Sequence, residues 1–274
     1  MNSRTDLALE SVCGNDRVYK ATRGKAFSIT EITIDTDDYI EISGKGKGRY
    51  ITLEGDINSF SSDCREMSAE LSEEIKSFIP EGDILVAGLG NRDITPDALG
   101  PVTASKILAT RHLQKETDTF LSSLRKVSTF AGGVLGQTGI ETAEIIKALC
   151  EKIKPSAVIA VDALACSDIK RLGTTVQISD AGISPGSGVS NARKELSENI
   201  FGIPVIAIGV PTVVSIHTIV RNITGIDTDK DFPDFMVTPR DVDRLIERTS
   251  QLLSFGINLA LHPSLDFNDI TGLF

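Results

Sequence analysis

The chain of 274 residues has no tryptophan, three histidines and four cysteines, and 5% of its residues are aromatic. Each shortage narrows the chemistry. So few rings leave little to build the stacking platforms that hold single-stranded nucleic acid. His112, His217 and His262 form neither an HExxH nor a paired spacing, which disfavours a histidine-based zinc site. A serine triad is disfavoured as well, because no GxSxG elbow is present. Cys13, Cys64, Cys150 and Cys166 lie far apart with no CxxC. They read as reduced thiols of a cytosolic protein, Cys166 among them as a buried, inert one. Basic residues are short too: 28 against 38 acidic gives a net charge of −10 and a pI near 4.9. That field repels nucleic acid and anionic lipid. No apolar run approaches the roughly 18 residues needed to cross a bilayer. The first ten residues carry Asp6 and Glu10 and lack the apolar centre of a signal peptide. We therefore expect a cytoplasmic protein with no direct nucleic-acid partner and no membrane association.

With 41% hydrophobic residues, the chain can fill a core. Ile29 to Asp35 alternates apolar and polar side chains, as do Tyr39 to Ser43 and Tyr50 to Leu53. Gly44 to Gly48 separates the last two, which reads as a hairpin. A helix is expected from Ser62 to Phe78, closed by Pro80. From Asp83 the texture changes. Ile84 to Leu89, Ala157 to Val161 and Ile203 to Ile208 are continuous apolar runs, the mark of strands buried on both faces. Helical patterns lie between them: one from Pro101 to about Gln114, and one opened by a Thr138–Glu141 capping box and running through Lys152. Thr224 to Asp234 reads as a surface loop before a last helix near Asp241 to Ser254. The expected architecture is α/β, with a central, mostly parallel sheet flanked by helices and an N-terminal β-rich elaboration.

In such sheets, ligands and catalytic groups gather beyond the carboxyl ends of the strands. Three segments are expected to be loops there: Gly88 to Pro101, Asp162 to Ala165, and Gly209 to Thr212. Asp162, directly after Val-Ile-Ala-Val, is costly to ionise beside an apolar sheet without partners. Asp97 and Asp162 would meet at one sheet edge if their strands are neighbours. Two nearby carboxylates can share a proton and activate a water, or they can hold a divalent metal. As structural elements, Asp97 would cap a helix and Asp162 a loop. Other signals are weak. Gly88-Leu89-Gly90 is part of a GxGxxG, with Asp93 in place of its third glycine. Ser184 to Gly188 fits either an anion-cradling nest or a plain turn.

Several longer segments carry a resemblance: GLGNRDITPDALGP from Gly88, QTGIETAE from Gln137, VDALA from Val161, TTVQISDAGISPGSGVSNARKEL from Thr174, IPVIAIGVPTVV from Ile203 and GINLALHP from Gly256. Together they resemble the germination protease family of spore-forming bacteria. The resemblance implies an endopeptidase that starts the degradation of small acid-soluble spore proteins, stored as an inactive homotetrameric zymogen in the spore core. It implies Asp97 and Asp162 as the catalytic pair. It also marks Arg4 to Glu10 as a self-cleavage segment cut between Ala8 and Leu9, so that residues 1–8 form a removable leader and 9–274 one peptidase domain. Within that domain, residues 9–80 would be the elaboration and 81–274 the catalytic core. The Gly90–Gly100 loop is also similar to the hydrogenase maturation endopeptidases, whose residues matching Asp97 and Asp162 help bind a metal together with a histidine. No histidine here stands at a matching place. That difference implies a carboxylate mechanism with no metal and no other cofactor. A metal-dependent maturation-type peptidase, or a non-catalytic nucleotide- or anion-binding module, remains the alternative. Ser190, where a glycine is usual, Ser215, where many members carry an acidic residue, and the chain's shortness depart from the family.

Overall fold

The computed structural model describes residues 5–11, 19–56, 64–115, 119–186, 194–226, 233 and 235–273. Its strands, in chain order, are β1 (Tyr19–Arg23), β2 (Ser28–Ile34), β3 (Gly48–Glu54), β4 (Ile84–Gly88), β5 (Val127–Phe130), β6 (Ala157–Cys166), β7 (Thr175–Ser179), β8 (Val205–Ser215) and β9 (Met236–Val237). They form one sheet in the order β1-β2-β3-β7-β8-β6-β4-β5, with β9 beside β8. β5, β4, β6 and β8 run parallel. From β7 to β1 the pairing is antiparallel, so the N-terminal strands extend the central sheet through the β3–β7 ladder.

The apolar runs are explained by a core on each face. Ile84 and Val86 of β4, with Ile159 and Val161 of β6, pack against Leu71 and Ile75 of the helix Arg65–Lys76 and Leu252, Leu253 and Ile257 of the helix Val242–Leu261. Leu85 and Ala87, with Val158 and Ala160, pack on the other face against Ala143, Ile146 and Cys150 of the helix Thr142–Ile153. Each fully buried Leu or Ile contributes about 1.5–3 kcal/mol. Strands covered on both sides therefore have no polar face to alternate with.

Several expectations need correcting. Tyr39 to Ser43 is not a strand but part of the helix Asp37–Ser43, which opens with two aspartates and ends on Gly44 at φ 66°. Acidic residues in a first turn and a left-handed glycine after the last are helix signals, and five residues of alternation were too few to outweigh them. The hairpin is β2–β3, with that helix inside its connection. The helix starting near Pro101 is only Leu99–Ala104, followed by a separate 3₁₀ segment Arg111–Lys115. Thr138 does not open a helix. It ends the short helix Leu135–Thr138, and Glu141 is the N-cap of the next one. Asp162–Ala165 and Gly209–Thr212 are not loops, since β6 runs to Cys166 and β8 to Ser215. The last helix runs to Leu261, past Ser254. Of the expected loop Thr224 to Asp234, residues 227–232 and 234 lie outside the described residues.

Gly100 fixes how closely the helix after β4 approaches the strand ends. A Cβ there would lie 2.2 Å from the Leu89 carbonyl oxygen and 2.3 Å from that of Val161, both main chain. Backbone cannot step aside as a side-chain tip can. Gly100→Ala is expected to cost at least about 1–3 kcal/mol, read as a lower urea midpoint. An unchanged midpoint would contradict this close packing.

Candidate active site

The site begins where two neighbouring strands end at different heights. The β4–β6 ladder stops at Gly88 opposite Val161, whereas β6 stays paired with β8 as far as Cys166 opposite Val214. Among the described residues, no strand covers Asp162 to Cys166 on the β4 side. Asp162 is 3% exposed, and its Oδ1 accepts from the Ala163 N–H at 2.9 Å.

Asp97 comes to the same edge on the loop after β4. The Leu89 N–H donates to the Val161 carbonyl at 2.8 Å. Gly90, at φ 107°, then turns the chain in a region that favours glycine. The 3₁₀ turn Thr95–Asp97 follows, and the Asp97 carboxylate accepts from the Asn91 N–H at 2.7 Å. Asp97 therefore braces its own loop and does not cap the helix Leu99–Ala104, whose N-cap is Ala98. β8 fastens the loop from the other side. The Thr212 hydroxyl donates to the Pro96 carbonyl at 2.7 Å, and the Thr238 hydroxyl donates to the Thr212 carbonyl at 2.9 Å. Asp97 and Asp162 line one cleft of about 330 Å³ together with Asp6. A second cavity of about 280 Å³, toward β3 and β7, shares Asp6 and Asp162 with it. The two cavities meet at these carboxylates.

The occupant of this junction is the start of the chain. The Asp6 N–H donates to the Ala165 carbonyl at 2.9 Å, and the Asp6 carboxylate accepts from the Ala165 N–H at 2.8 Å. The Gln177 side chain spans the segment, donating to the Asp6 carbonyl at 3.1 Å and accepting from the Ala8 N–H at 2.7 Å. Lys45 Nζ donates to the Thr5 carbonyl at 2.7 Å. Burial pulls the Lys45 ammonium below the ordinary lysine value, and the charges of Asp6 and Glu10 oppose that fall. Leu7 is fully buried with Leu164, Cys166 and Val214. The side chain of Glu10, 3% exposed, accepts from the Ser167 N–H and hydroxyl, the Asp168 N–H, the Arg171 guanidinium and the Thr5 hydroxyl. Ala8 and Leu9 lie in the helical turn Ala8–Ser11, both buried. The bond that the sequence resemblance marks for cleavage is thus folded away, and Asp6 stands nearer the two aspartates' cleft. The roles of Gln177, Lys45 and the Ser167–Arg171 turn were not read from sequence. The only hint was a glutamine inside the apolar strand TVQIS.

The remaining candidates fall outside the cleft's chemistry. His262 is buried at the end of the helix Val242–Leu261, where burial pushes its pKa down to about 4. His217 is half-buried in the helix Ile216–Thr224. Ser215 caps that helix, accepting from the His217 N–H at 3.2 Å. Among the described residues, no group of three His, Cys, Asp or Glu is placed to hold a metal. Gly186 lines both cavities, while Gly188 and Ser190 lie outside the described residues.

The fold and the cleft define an α/β protein that holds a peptide segment along an open strand edge next to two carboxylates. A sequence profile of the germination protease family matches residues 8–227. The germination protease of Clostridium tetani is 38% identical over 98% of this chain and 98% of its own. That of Bacillus subtilis is 37% identical over 96% and 94%. The alignment to the first relative runs to 322 positions, so that relative carries insertions within the matched region. Among solved structures, the hydrogenase maturation protease HycI of Thermococcus kodakarensis matches 67% of this chain and 98% of its own, at 18% identity and a TM-score of 0.36. The chain belongs to the germination protease family and is an endopeptidase. No helix among the described residues is long and apolar enough to cross a membrane.

Cys166 lies in the open stretch of β6, and its thiol serves as a packing group. Burial, reinforced by the charges of Glu10 and Asp168, pushes its pKa up to about 12. At pH 8 it remains a thiol, and the thiol reacts poorly. Iodoacetamide at pH 8 is expected to leave Cys166 unmodified in the native protein and to alkylate it in urea, read by peptide mass spectrometry. Alkylation of the native protein would contradict this burial.

Proposed function

We propose that the chain is a self-processing protease zymogen of the spore, initiating the breakdown of small acid-soluble spore proteins at germination by means of the pair Asp97 and Asp162. The observation that carries the mechanism is that both carboxylates line one cleft at the strand ends, where a peptide segment already lies. The substrate reading is supported by family membership and by relatives named germination protease. The net charge of −10 favours basic or exposed protein partners over nucleic acid. Self-association, with a homotetramer expected from the resemblance, is supported by Ile223 and Ile226, which are 74% and 69% exposed at the C-terminal end of the helix Ile216–Thr224. Apolar side chains gathered this way mark an interface.

The proposed chemistry has the two carboxyl groups share one proton, as like charges do when they are held close together. The ionised member takes a proton from a water molecule, whose oxygen attacks the peptide carbonyl carbon. The protonated member gives its proton to the carbonyl oxygen. Collapse of the tetrahedral intermediate breaks the C–N bond, the amine leaves with a proton, and an acid and an amine result. In the zymogen, Thr5 to Ala8 would occupy the place of a substrate. The Ala8–Leu9 bond must leave its helical turn before it can be cut, because an extended segment exposes a carbonyl that a helix hides. The division into a removable leader 1–8 and one peptidase domain 9–274 belongs to this reading.

Asp97→Asn and Asp162→Asn remove the shared proton with little change in volume. Each is expected to lower hydrolysis of a synthetic peptide spanning Arg4 to Ser11 by about 10²–10⁴-fold, measured by chromatography, with melting temperatures close to wild type. Near-normal turnover by either variant would remove that residue from the mechanism. Loss of activity on chelation, restored by a stoichiometric divalent ion, would replace the mechanism with a metal-assisted one.

A further inference from the structure

Asp162 and Asp97 reach the cleft by different routes, and something must set one against the other. Asp162 belongs to β6, where it stands opposite Gly209 of β8. Asp97 ends a 3₁₀ turn in a loop and is held at several points. Its N–H donates to the Ile94 carbonyl at 2.8 Å, and its carboxylate accepts from the Asn91 N–H at 2.7 Å. Both bonds lie within the loop, so they shape it without locating it. The carbonyl of Pro96, the other end of the same peptide unit, accepts from the Thr212 hydroxyl at 2.7 Å. That bond ties the peptide plane of Asp97 to β8, a short way along the strand from the residue opposite Asp162.

β8 is built to offer Thr212. Leu164 pairs with Pro211 and Ala165 with Val213, so Thr212 is an extra residue with no partner on β6. The packing carries the same mark. Ile206, Ile208 and Val210 face the core that holds the helix Val242–Leu261. Val214 instead packs with Leu164 and Cys166, which share the parity of Val158 and Ala160 on the opposite face. Residues an even number apart share a face in a regular strand, and one inserted residue reverses that phase. A bulge also re-aims a side chain. Here it turns Thr212, 0% exposed, onto the Pro96 carbonyl. The Thr212 carbonyl accepts from the Thr238 hydroxyl, just past β9, at 2.9 Å, which braces the bulge in turn.

We propose that Thr212 is a positioning residue of the protease, through which the bulge in β8 fixes Asp97 against Asp162, and that Thr238 keeps the bulge in shape. The role rests on the reading of Asp97 and Asp162 as the catalytic pair. With its hydroxyl engaged by Pro96, Thr212 acts through Asp97.

Thr212→Val keeps the shape of the side chain and removes the donor, whereas Thr212→Ser keeps the donor. The full chain carrying each change is compared with wild type in hydrolysis of the peptide spanning Arg4 to Ser11, across pH. A misplacement of about 1 Å costs about 10²-fold in rate, so Thr212→Val is expected to lower kcat by about 10–10²-fold and to change KM by less than about threefold. As two carboxyl groups move apart, their repulsion weakens and their apparent pKa values draw together. The bell-shaped kcat profile of Thr212→Val is therefore expected to narrow on both limbs. Asp6, Glu141 and Lys194, the other charged residues lining the cleft, are unchanged in every variant. Thr212→Ser is expected to stay within about threefold of wild type at full profile width. Wild-type kcat and width in Thr212→Val overturn the assignment. So does a loss confined to KM, a loss without narrowing, or one that serine does not restore. If Thr212→Val does not fold, Thr238→Val is judged by the same kcat and width. Activity that survives Asp97→Asn would remove the catalytic pair itself, whereas activity that needs Asp97 and ignores Thr212 would remove the positioning role alone.

Discussion

The structure turns on a mismatch in strand length. β4 ends opposite Val161, and β6 continues for five more residues with β8 as its one ladder partner among the described residues. A strand edge inside a folded protein cannot leave its N–H and carbonyl groups without partners, so something must lie along it. Three things converge there: the Asp162 carboxylate, the loop carrying Asp97, and the chain's own Asp6. The overhang both creates the need for a docked peptide and sets that peptide beside the carboxylates. On the proposed function, catalysis and inhibition would use the same few ångströms of backbone.

The surrounding structure holds this overhang rigid. Gly88 and Gly100 let the helix after β4 approach until backbone touches backbone, and Thr212 ties the Asp97 loop to β8. The helices Arg65–Lys76, Leu99–Ala104 and Val242–Leu261 on one face and Thr142–Ile153 on the other keep β4 and β6 dry. The docked segment is held differently. Its contacts are hydrogen bonds, the apolar side chains of Leu7 and Ala8 and the partly buried carboxylate of Asp6, and all of them can be exchanged for those of another peptide. That contrast, a fixed sheet and an exchangeable guest, suits a zymogen.

Much of this was legible in the sequence. Continuous apolar runs give away strands covered on both faces, and an aspartate directly after such a run marks where the run breaks, although β6 itself continues to Cys166. Asp97 and Asp162 were reachable from that logic, and the resemblance pointed to the same pair. What the sequence hid was non-local. Whether VDALA is strand or loop depends on β8, whose GVPT was misread in the same way. Neither segment carries in itself the fact that the other extends it. Tyr39 to Ser43 fits both periods at five residues, and only its flanking aspartates and Gly44 decide. Lys45 was read only as part of a glycine-rich hairpin turn. Its role appears only once Asp6 and Glu10, some forty residues earlier in the chain, are placed beside it. Ala8 and Leu9, expected to flank the cut, are both buried, which the sequence does not reveal.

The central claim, that the chain's own first residues occupy the peptide site of the Asp97–Asp162 pair, is tested most directly by intact-mass spectrometry of the purified full chain over time. The account predicts that the wild type loses Met1 to Ala8 as one discrete step, slowly, because the Ala8–Leu9 bond must first leave its helical turn, and that Asp162→Asn keeps its full mass. Loss of the same segment at the same rate from Asp162→Asn, or a wild type that cleaves other peptides while keeping its leader indefinitely, would contradict it.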